Sequence, residues 1–193
     1  MISIILAHPN PQSFNHAIAA SAAAAVRDLG REAVLHDLCQ EQFPPLLSYV
    51  EFPETAQLDP LTARHCQEIA SADGIIIVHP NWWGMPPAIL KGWLDRVLRP
   101  EVAYRFVNGV SVGLLSAQAA LVFNTANTPD EQERQLYGDP LEGLWKKCVF
   151  GLCGLREVQR RTFTPVILST PRQRAEWLAE VRTLVAASFP RRA

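Results

Sequence analysis

Three short segments carry residue types suited to holding a ligand. The first is His8-Pro9-Asn10-Pro11-Gln12-Ser13-Phe14-Asn15. Two prolines stop an apolar run there, and Ser13 stands where a helix begins. Backbone N–H groups in the first turn of a helix have no intrahelical partner, and with the helix dipole they favour an anion. Ser13 and Asn15 add neutral donors, although Ser13 equally suits the plain task of capping its helix. The second segment is His79-Pro80-Asn81-Trp82-Trp83-Gly84-Met85-Pro86-Pro87. Adjacent tryptophans after an apolar run offer flat faces to a planar aromatic ligand, and Gly84 permits close backbone approach. Packed in a core, the same pair would only fill space. The third is Asn124-Thr125-Ala126-Asn127-Thr128-Pro129, which offers small donors; alone it is an ordinary polar turn.

Other chemistries lack their residues. There is no Gly-rich dinucleotide fingerprint and no phosphate-loop lysine. Ser13 has no nucleophile-elbow context, which argues against a hydrolase. His16, His36 and His65 share no metal-ligand spacing, so surface or capping roles are expected for them and no metal. Cys39, Cys66, Cys148 and Cys153 match neither a zinc site nor a thioredoxin-like pair; free thiols in a reducing cytoplasm fit them. Asp95-Arg96, late in a helix, reads as a solvated or interface pair.

The elements that must position these loops alternate along the chain. Strands are expected at residues 1–7, 32–38, 74–79, 119–124 and 158–163. Helices are expected at 14–29, closed by Gly30, and at 61–72, 88–98, 141–153 and 171–189, the last capped by Thr170 with Pro171 in its first turn. Residues 39–59 are proline-rich and irregular, and residues 125–132 form a polar loop. Five strands alternating with five helices mean a parallel α/β sheet covered on both faces. Ligands of such sheets bind beyond the carboxyl ends of the strands, where all three segments fall.

Composition agrees with one domain over residues 1–193. Hydrophobic residues make up 48%, enough for a sizeable core, and the net charge is -1. That balance speaks against nucleic acid or an anionic membrane as partner. Arg191 and Arg192 read as a solvated tail. No signal peptide is read at the start, and no apolar run reaches membrane-spanning length.

The pattern Ala-His-Pro-x-x-x-Ser-Phe-Asn-His-Ala after a strand, then His-Pro-Asn-Trp-Trp-Gly-Met-Pro, then Pro-Ala-Ile-Leu-Lys-Gly-Trp-Leu-Asp-Arg-Val, resembles the NAD(P)H:quinone oxidoreductases of DT-diaphorase type. The similarity is densest over 87–97 and 103–106 and weak over 39–59. It implies a flavodoxin-like, doubly wound, five-stranded parallel sheet in the order 2-1-3-4-5. It also implies a flavin cofactor, with FAD placed ahead of FMN, NAD(P)H as co-substrate, and ping-pong transfer of two electrons to a quinone. By the resemblance His8, Ser13, Phe14 and Asn15 hold the flavin phosphate region. Pro80, Asn81, Trp82, Trp83 and Gly84 line the ring, and Asn124, Thr125, Ala126, Asn127 and Thr128 contact its pyrimidine side and ribityl chain. Trp82, Trp83, Phe106 and Tyr137 are then substrate contacts. Family members are homodimers whose active site is completed by the partner subunit, so residues 39–59 or 103–108 are expected near that interface. The sequence departs from the family at its tyrosine–histidine relay: Glu131 falls at the tyrosine position and Tyr137 at the histidine position. Tyr137 is then either a proton donor or an interface residue. Two other readings stand beside the enzyme, a regulatory ancillary subunit of a potassium-efflux system and a flavodoxin-type electron carrier. Such carriers are strongly acidic, whereas this chain has 18 basic and 19 acidic residues.

Overall fold

The computed structural model describes residues 1–191. Arg192, part of the expected solvated tail, lies outside them; Arg191 donates to the Asp28 carbonyl oxygen. The sheet is built from β1 (Ile2–Leu6), β2 (Ala33–Asp37), β3 (Gly74–Pro80), β6 (Ala119–Thr125) and β7 (Glu157–Phe163). Its order is β2-β1-β3-β6-β7 and every pairing is parallel. This is the expected 2-1-3-4-5 order, with two further strands outside the sheet. Every residue of β1 and β3 is buried, as apolar runs flanked by strands and covered on both faces must be.

One face of the sheet is covered by α1 (Phe14–Asp28) and α6 (Pro171–Ser188). Ile18, Ala22 and Val26 of α1 join Trp177, Val181 and Val185 of α6 in one core cluster. The other face carries α2 (Pro60–Ser71) and α3 (Ala88–Val97), with Trp93, Val97, Trp145 and Phe150 in the second cluster. Gly92 lets α3 press against the irregular stretch before α2, since a Cβ there would lie 2.1 Å from the Pro45 carbonyl oxygen.

The structure differs from the expectation in four places. First, β4 (Tyr104–Val107) and β5 (Val110–Gly113) form an antiparallel hairpin that was not expected. Its turn is Asn108-Gly109, with φ of 52° and 79°, the left-handed pair that a tight hairpin favours. Second, residues 130–137 form helix α4 (Asp130–Tyr137), where a loop was expected to run to Gln132. None of its residues is buried, so it lacks the apolar stripe by which a helix is read. Asp130, Glu131 and Glu133 in its first turn complement the dipole, and Gly138 ends it in the left-handed conformation. Third, the helix expected at 141–153 is a short α5 (Pro140–Gly143) running into a π-helical segment, Leu144–Val149. Fourth, Arg96 is buried rather than solvated. It donates to Glu51 Oε2 at 2.9 Å, Asp59 Oδ2 at 2.7 Å and the Pro44 carbonyl oxygen at 2.6 Å. It thereby ties the irregular stretch to α3. Asp95 is the exposed partner of Lys91 one turn earlier.

Candidate active site at the strand ends

The loops after β1, β3 and β6 meet through direct hydrogen bonds. Asn15, in the first turn of α1, donates from Nδ2 to Thr125 Oγ1 at 2.8 Å. The Asn81 backbone N–H donates to the Thr125 carbonyl oxygen at 2.7 Å. The rings of His8 and Trp82 lie 5.9 Å apart. Thr125, the last residue of β6, thus fixes both other loops.

In the first loop Ser13 caps α1, its side chain accepting from the His16 N–H. His8 Nδ1 accepts the Asn10 N–H at 3.1 Å, which leaves Nε2 as its proton-bearing nitrogen. Burial pushes the His8 pKa down. The Phe14 ring packs against Phe163 and Trp177, so its side chain is spent on the core and only its backbone is left for the role expected from the resemblance.

The second loop is a tight turn in which Trp82 and Met85 exchange backbone hydrogen bonds of 3.1 and 3.0 Å. Trp83 holds a φ of 58° and is 97% exposed, while Trp82 is 44% exposed. A positive φ on a tryptophan is uncommon outside sites that demand it. Gly84 has a φ of 71°, and a Cβ on it would stand 2.7 Å from Pro140 Cγ. The close approach that Gly84 permits is therefore to α5. Pro80 is buried at the end of β3.

In the third loop Ala126 exchanges backbone hydrogen bonds with Phe163 and Val166. Asn127 Oδ1 accepts the Ile167 N–H at 3.0 Å, and the Thr128 carbonyl oxygen accepts from Thr164 Oγ1 at 2.6 Å. The loop is stitched to the residues that follow β7.

Beneath the crevice lies a polar hub centred on His79. Its Nδ1 donates to the Pro80 carbonyl oxygen at 2.8 Å. Its Nε2 accepts from Asn124 Nδ2 at 2.7 Å and Trp145 Nε1 at 3.0 Å. Both partners can only donate in this arrangement, so the imidazole is neutral; burial pushes its pKa down to about 4. Asn124 Oδ1 accepts from Arg160, which also pairs with Asp139 and with Glu142. Asn124 therefore spends one end of its amide on the hub and the other on Arg160. The π-helical segment carries Trp145 to this position, a common use of such widened turns at functional sites.

Of the substrate contacts expected from the resemblance, Trp82 and Trp83 line a groove of about 820 Å³. Met85, Leu94, Tyr104 and Leu152 line it too. The hairpin reaches this groove with Tyr104 rather than Phe106, which is 63% exposed. Tyr137 closes α4 and is equally exposed. Glu131 accepts from Gln135 on the helix surface. It is Glu133, not singled out from the sequence, that reaches the crevice, accepting from Asn81 Nδ2 at 3.0 Å.

His36 and His65 come together away from the crevice, with ring centroids 4.1 Å apart. Glu41 bridges them, at 2.9 Å from His36 Nδ1 and 3.1 Å from His65 Nε2. Trp93 Nε1 donates to His65 Nδ1, so His65 keeps its proton on Nε2 and that nitrogen has no lone pair for a metal. His36 lies between Glu41 and Glu68. Burial opposes its charge, but the two carboxylates prevail and its pKa is raised. Burial likewise opposes the Glu41 charge, yet hydrogen bonds from both imidazoles hold that carboxyl at about 2. The cluster joins β2 to α2 electrostatically.

Asn15 Oδ1 and Asn81 Oδ1 are buried and have no hydrogen-bond partner among the described residues. Buried polar atoms are rarely left so. These two acceptors, on loops that converge at Thr125, fit a ligand bringing hydroxyl and ring N–H donors, as a flavin does. The first-turn N–H groups of α1 fit its phosphate.

The flavodoxin-like fold family matches residues 1–185. A Haemophilus influenzae protein called an uncharacterized NAD(P)H oxidoreductase is 35% identical over 86% of this chain and 84% of its own length. The rat NAD(P)H dehydrogenase [quinone] 1 is 27% identical over 81% of this chain, and the match spans 65% of the rat protein. The NAD(P)H:quinone oxidoreductase of Methanothermobacter marburgensis shares the fold with a TM-score of 0.82, at 21% identity over 95% of this chain and 96% of that one. With the strand order and the three converging loops, these relationships make the chain a member of the flavodoxin-like family, in the group that contains the NAD(P)H:quinone oxidoreductases.

Proposed function

We propose that the protein is a flavin-dependent NAD(P)H:quinone oxidoreductase, taking two electrons from NAD(P)H and passing them to a quinone. The observation that carries this reading is the convergence of the three strand-end loops on Thr125, with two buried amide oxygens left for donors of a ligand. The first turn of α1 and Ser13 hold the phosphate end. Asn15, Asn81 and Thr125 orient the polar edge, and Trp82 and Trp83 wall the ring. A bound flavin supplies the hydride acceptance and release that no side chain here offers. The fully exposed Trp83 then presents a planar face to nicotinamide and quinone in turn. Tyr104 extends this surface from the hairpin, and Tyr137, exposed at the end of α4, is the candidate proton donor.

Around the groove the chain exposes Tyr49, Val50, Phe52, Trp83 and Phe106. So much apolar surface marks an interface, and we assign it to a second copy, making a cytoplasmic homodimer of single-domain protomers. Among the described residues no helix is long and apolar enough to cross a membrane.

The test is reconstitution. Purified protein incubated with FAD or FMN is expected to bind flavin, with FAD favoured by the family resemblance. It should quench tryptophan fluorescence, lose flavin absorbance on adding NADH or NADPH, and regain it with a benzoquinone. Protein that takes up neither flavin would overturn the reading. So would flavin-loaded protein that neither NADH nor NADPH bleaches.

A further inference from the structure

The carboxylate of Glu133 reaches from α4 to the loop that follows β3. No residue of α4 is buried, so the helix brings no apolar face to the core and Glu133 does not serve packing. Its Oε1 accepts from Asn81 Nδ2 at 3.0 Å. A carboxylate only accepts hydrogen bonds. Asn81 can therefore present only its NH2 end to Glu133, and its carbonyl oxygen must point elsewhere. The Asn81 backbone is fixed as well, its N–H donating to the Thr125 carbonyl oxygen at 2.7 Å. Asn15 shows the contrast. Its Nδ2 bonds to Thr125 Oγ1 at 2.8 Å, but a hydroxyl both donates and accepts, so that contact suits either end of the amide. At Asn81 the carboxylate admits one orientation.

We infer that Glu133 is a positioning residue for the flavin: it locks the Asn81 amide so that Oδ1 accepts the ring N–H of the isoalloxazine. The inference rests on the proposed flavin site and adds to it the residue that sets the direction of this hydrogen bond. Asn81 Oδ1 is buried and has no partner among the described residues, which suits an acceptor kept for a donor that the ligand brings. A flavin brings two kinds of donor, the hydroxyls of its ribityl chain and, in the oxidised ring, the single N–H at N3. Two features point to the ring. Asn81 directly precedes Trp82 and Trp83, whose faces suit the ring plane. A hydroxyl can also answer either end of an amide, whereas a ring N–H is only a donor. An amide turned the wrong way would set Nδ2–H against N3–H, so a fixed orientation matters for the ring N–H and little for a hydroxyl.

The test is a cycle in flavin affinity, read by fluorescence quenching. The probes are FMN or FAD, whichever the wild type holds more tightly, and its N3-methyl derivative. Glu133→Gln keeps the size of the side chain, but its amide can offer Asn81 either end, so Asn81 is free to turn. The substitution should weaken binding of the parent flavin by about 2- to 10-fold, the worth of one neutral hydrogen bond. Methylation removes the N–H, so Glu133→Gln should leave affinity for the N3-methyl flavin unchanged. Asn81→Ala removes the acceptor, and adding Glu133→Gln to it should cost nothing further. A loss caused by disturbing α4 would persist in both comparisons. Equal losses for the parent and the N3-methyl flavin would give the contact to a ribityl hydroxyl or to the fold, and would overturn the inference. Equal losses with and without the Asn81 side chain overturn it too, as does Glu133→Gln that binds the parent flavin undiminished. Where the methyl group itself abolishes binding, the Asn81 comparison decides. All these outcomes leave the flavin site standing. A wild type that binds neither FMN nor FAD removes the site itself, and the inference with it.

Discussion

Protonating His79 requires breaking the hub beneath the crevice, so acid should destabilise the fold through this residue. Its Nε2 accepts two N–H donors, from Asn124 at 2.7 Å and Trp145 at 3.0 Å. A proton on that nitrogen faces both donors at once, with Arg160 adding repulsion. The folded value of about 4 lies below the ordinary 6.5. The unfolded chain therefore binds this proton first as pH falls, and the fold loses stability from about pH 6.5 downward. One pKa unit is about 1.4 kcal/mol, so the full effect approaches about 3 kcal/mol below pH 4, and about 2 kcal/mol is already lost at pH 5. His36, whose pKa is raised, contributes with the opposite sign, its stability being lost as pH rises. A difference between variants isolates His79. His79→Gln keeps a carbonyl oxygen for Asn124 and Trp145 but does not titrate. Urea unfolding at pH 8 and pH 5 should show the wild type losing about 2 kcal/mol more than His79→Gln over that interval. Parallel losses in the two proteins would refute the reasoning, as would a wild-type His79 ring whose NMR shift titrates above pH 6.

Arg96→Met strands the Glu51 carboxylate and should cost about 3–5 kcal/mol in chemical denaturation; limited proteolysis should then cut within residues 44–59 first. Gly84→Ala forces a left-handed alanine against Pro140 and should destabilise by about 1–3 kcal/mol, with part of the loss recovered in the double variant with Pro140→Ala. Trp83→Ala should leave monomer stability within about 0.5 kcal/mol, as an exposed position does. It should nonetheless raise the KM for a naphthoquinone, and an unchanged KM would remove Trp83 from the substrate surface. Tyr137→Phe should slow only the quinone half-reaction in stopped-flow measurements, by up to about 10²-fold if its hydroxyl donates the proton; an unchanged rate would make it a packing residue.

The sheet was legible because its strands are extreme. Gly74–Pro80 has no exposed residue, and such a run admits one placement. The three loops were legible because strand ends in parallel sheets are where ligands go. The hairpin does carry a sequence signal, Asn108-Gly109 between two runs rich in aromatic and β-branched residues. Helix α4 left little signal, since a helix without a buried face has no apolar period. The hub could not be read at all. His79, Asn124, Trp145 and Arg160 are far apart in the chain; the register of β3, β6 and β7 brings three of them together and the π-helical segment brings Trp145. The same holds for His16 and Asp37, whose 2.8 Å contact needs β2 beside β1. The burial of Arg96 is not legible because its partners lie in the irregular stretch, where no periodicity tells what faces what.

The pairing of α1 with α6 bears on how the chain reaches this fold. Ser21 of α1 donates to the Leu178 carbonyl oxygen, across 157 residues, and the two helices share one core cluster. During synthesis, the face of α1 that meets α6 and the same side of β6 stay uncovered until α6 has emerged. Contacts of such long range slow folding and leave apolar surface open to aggregation meanwhile. A ribosome stalled before α6 should therefore carry a nascent chain that chaperones bind and proteases cut, however complete its flavin loops already are.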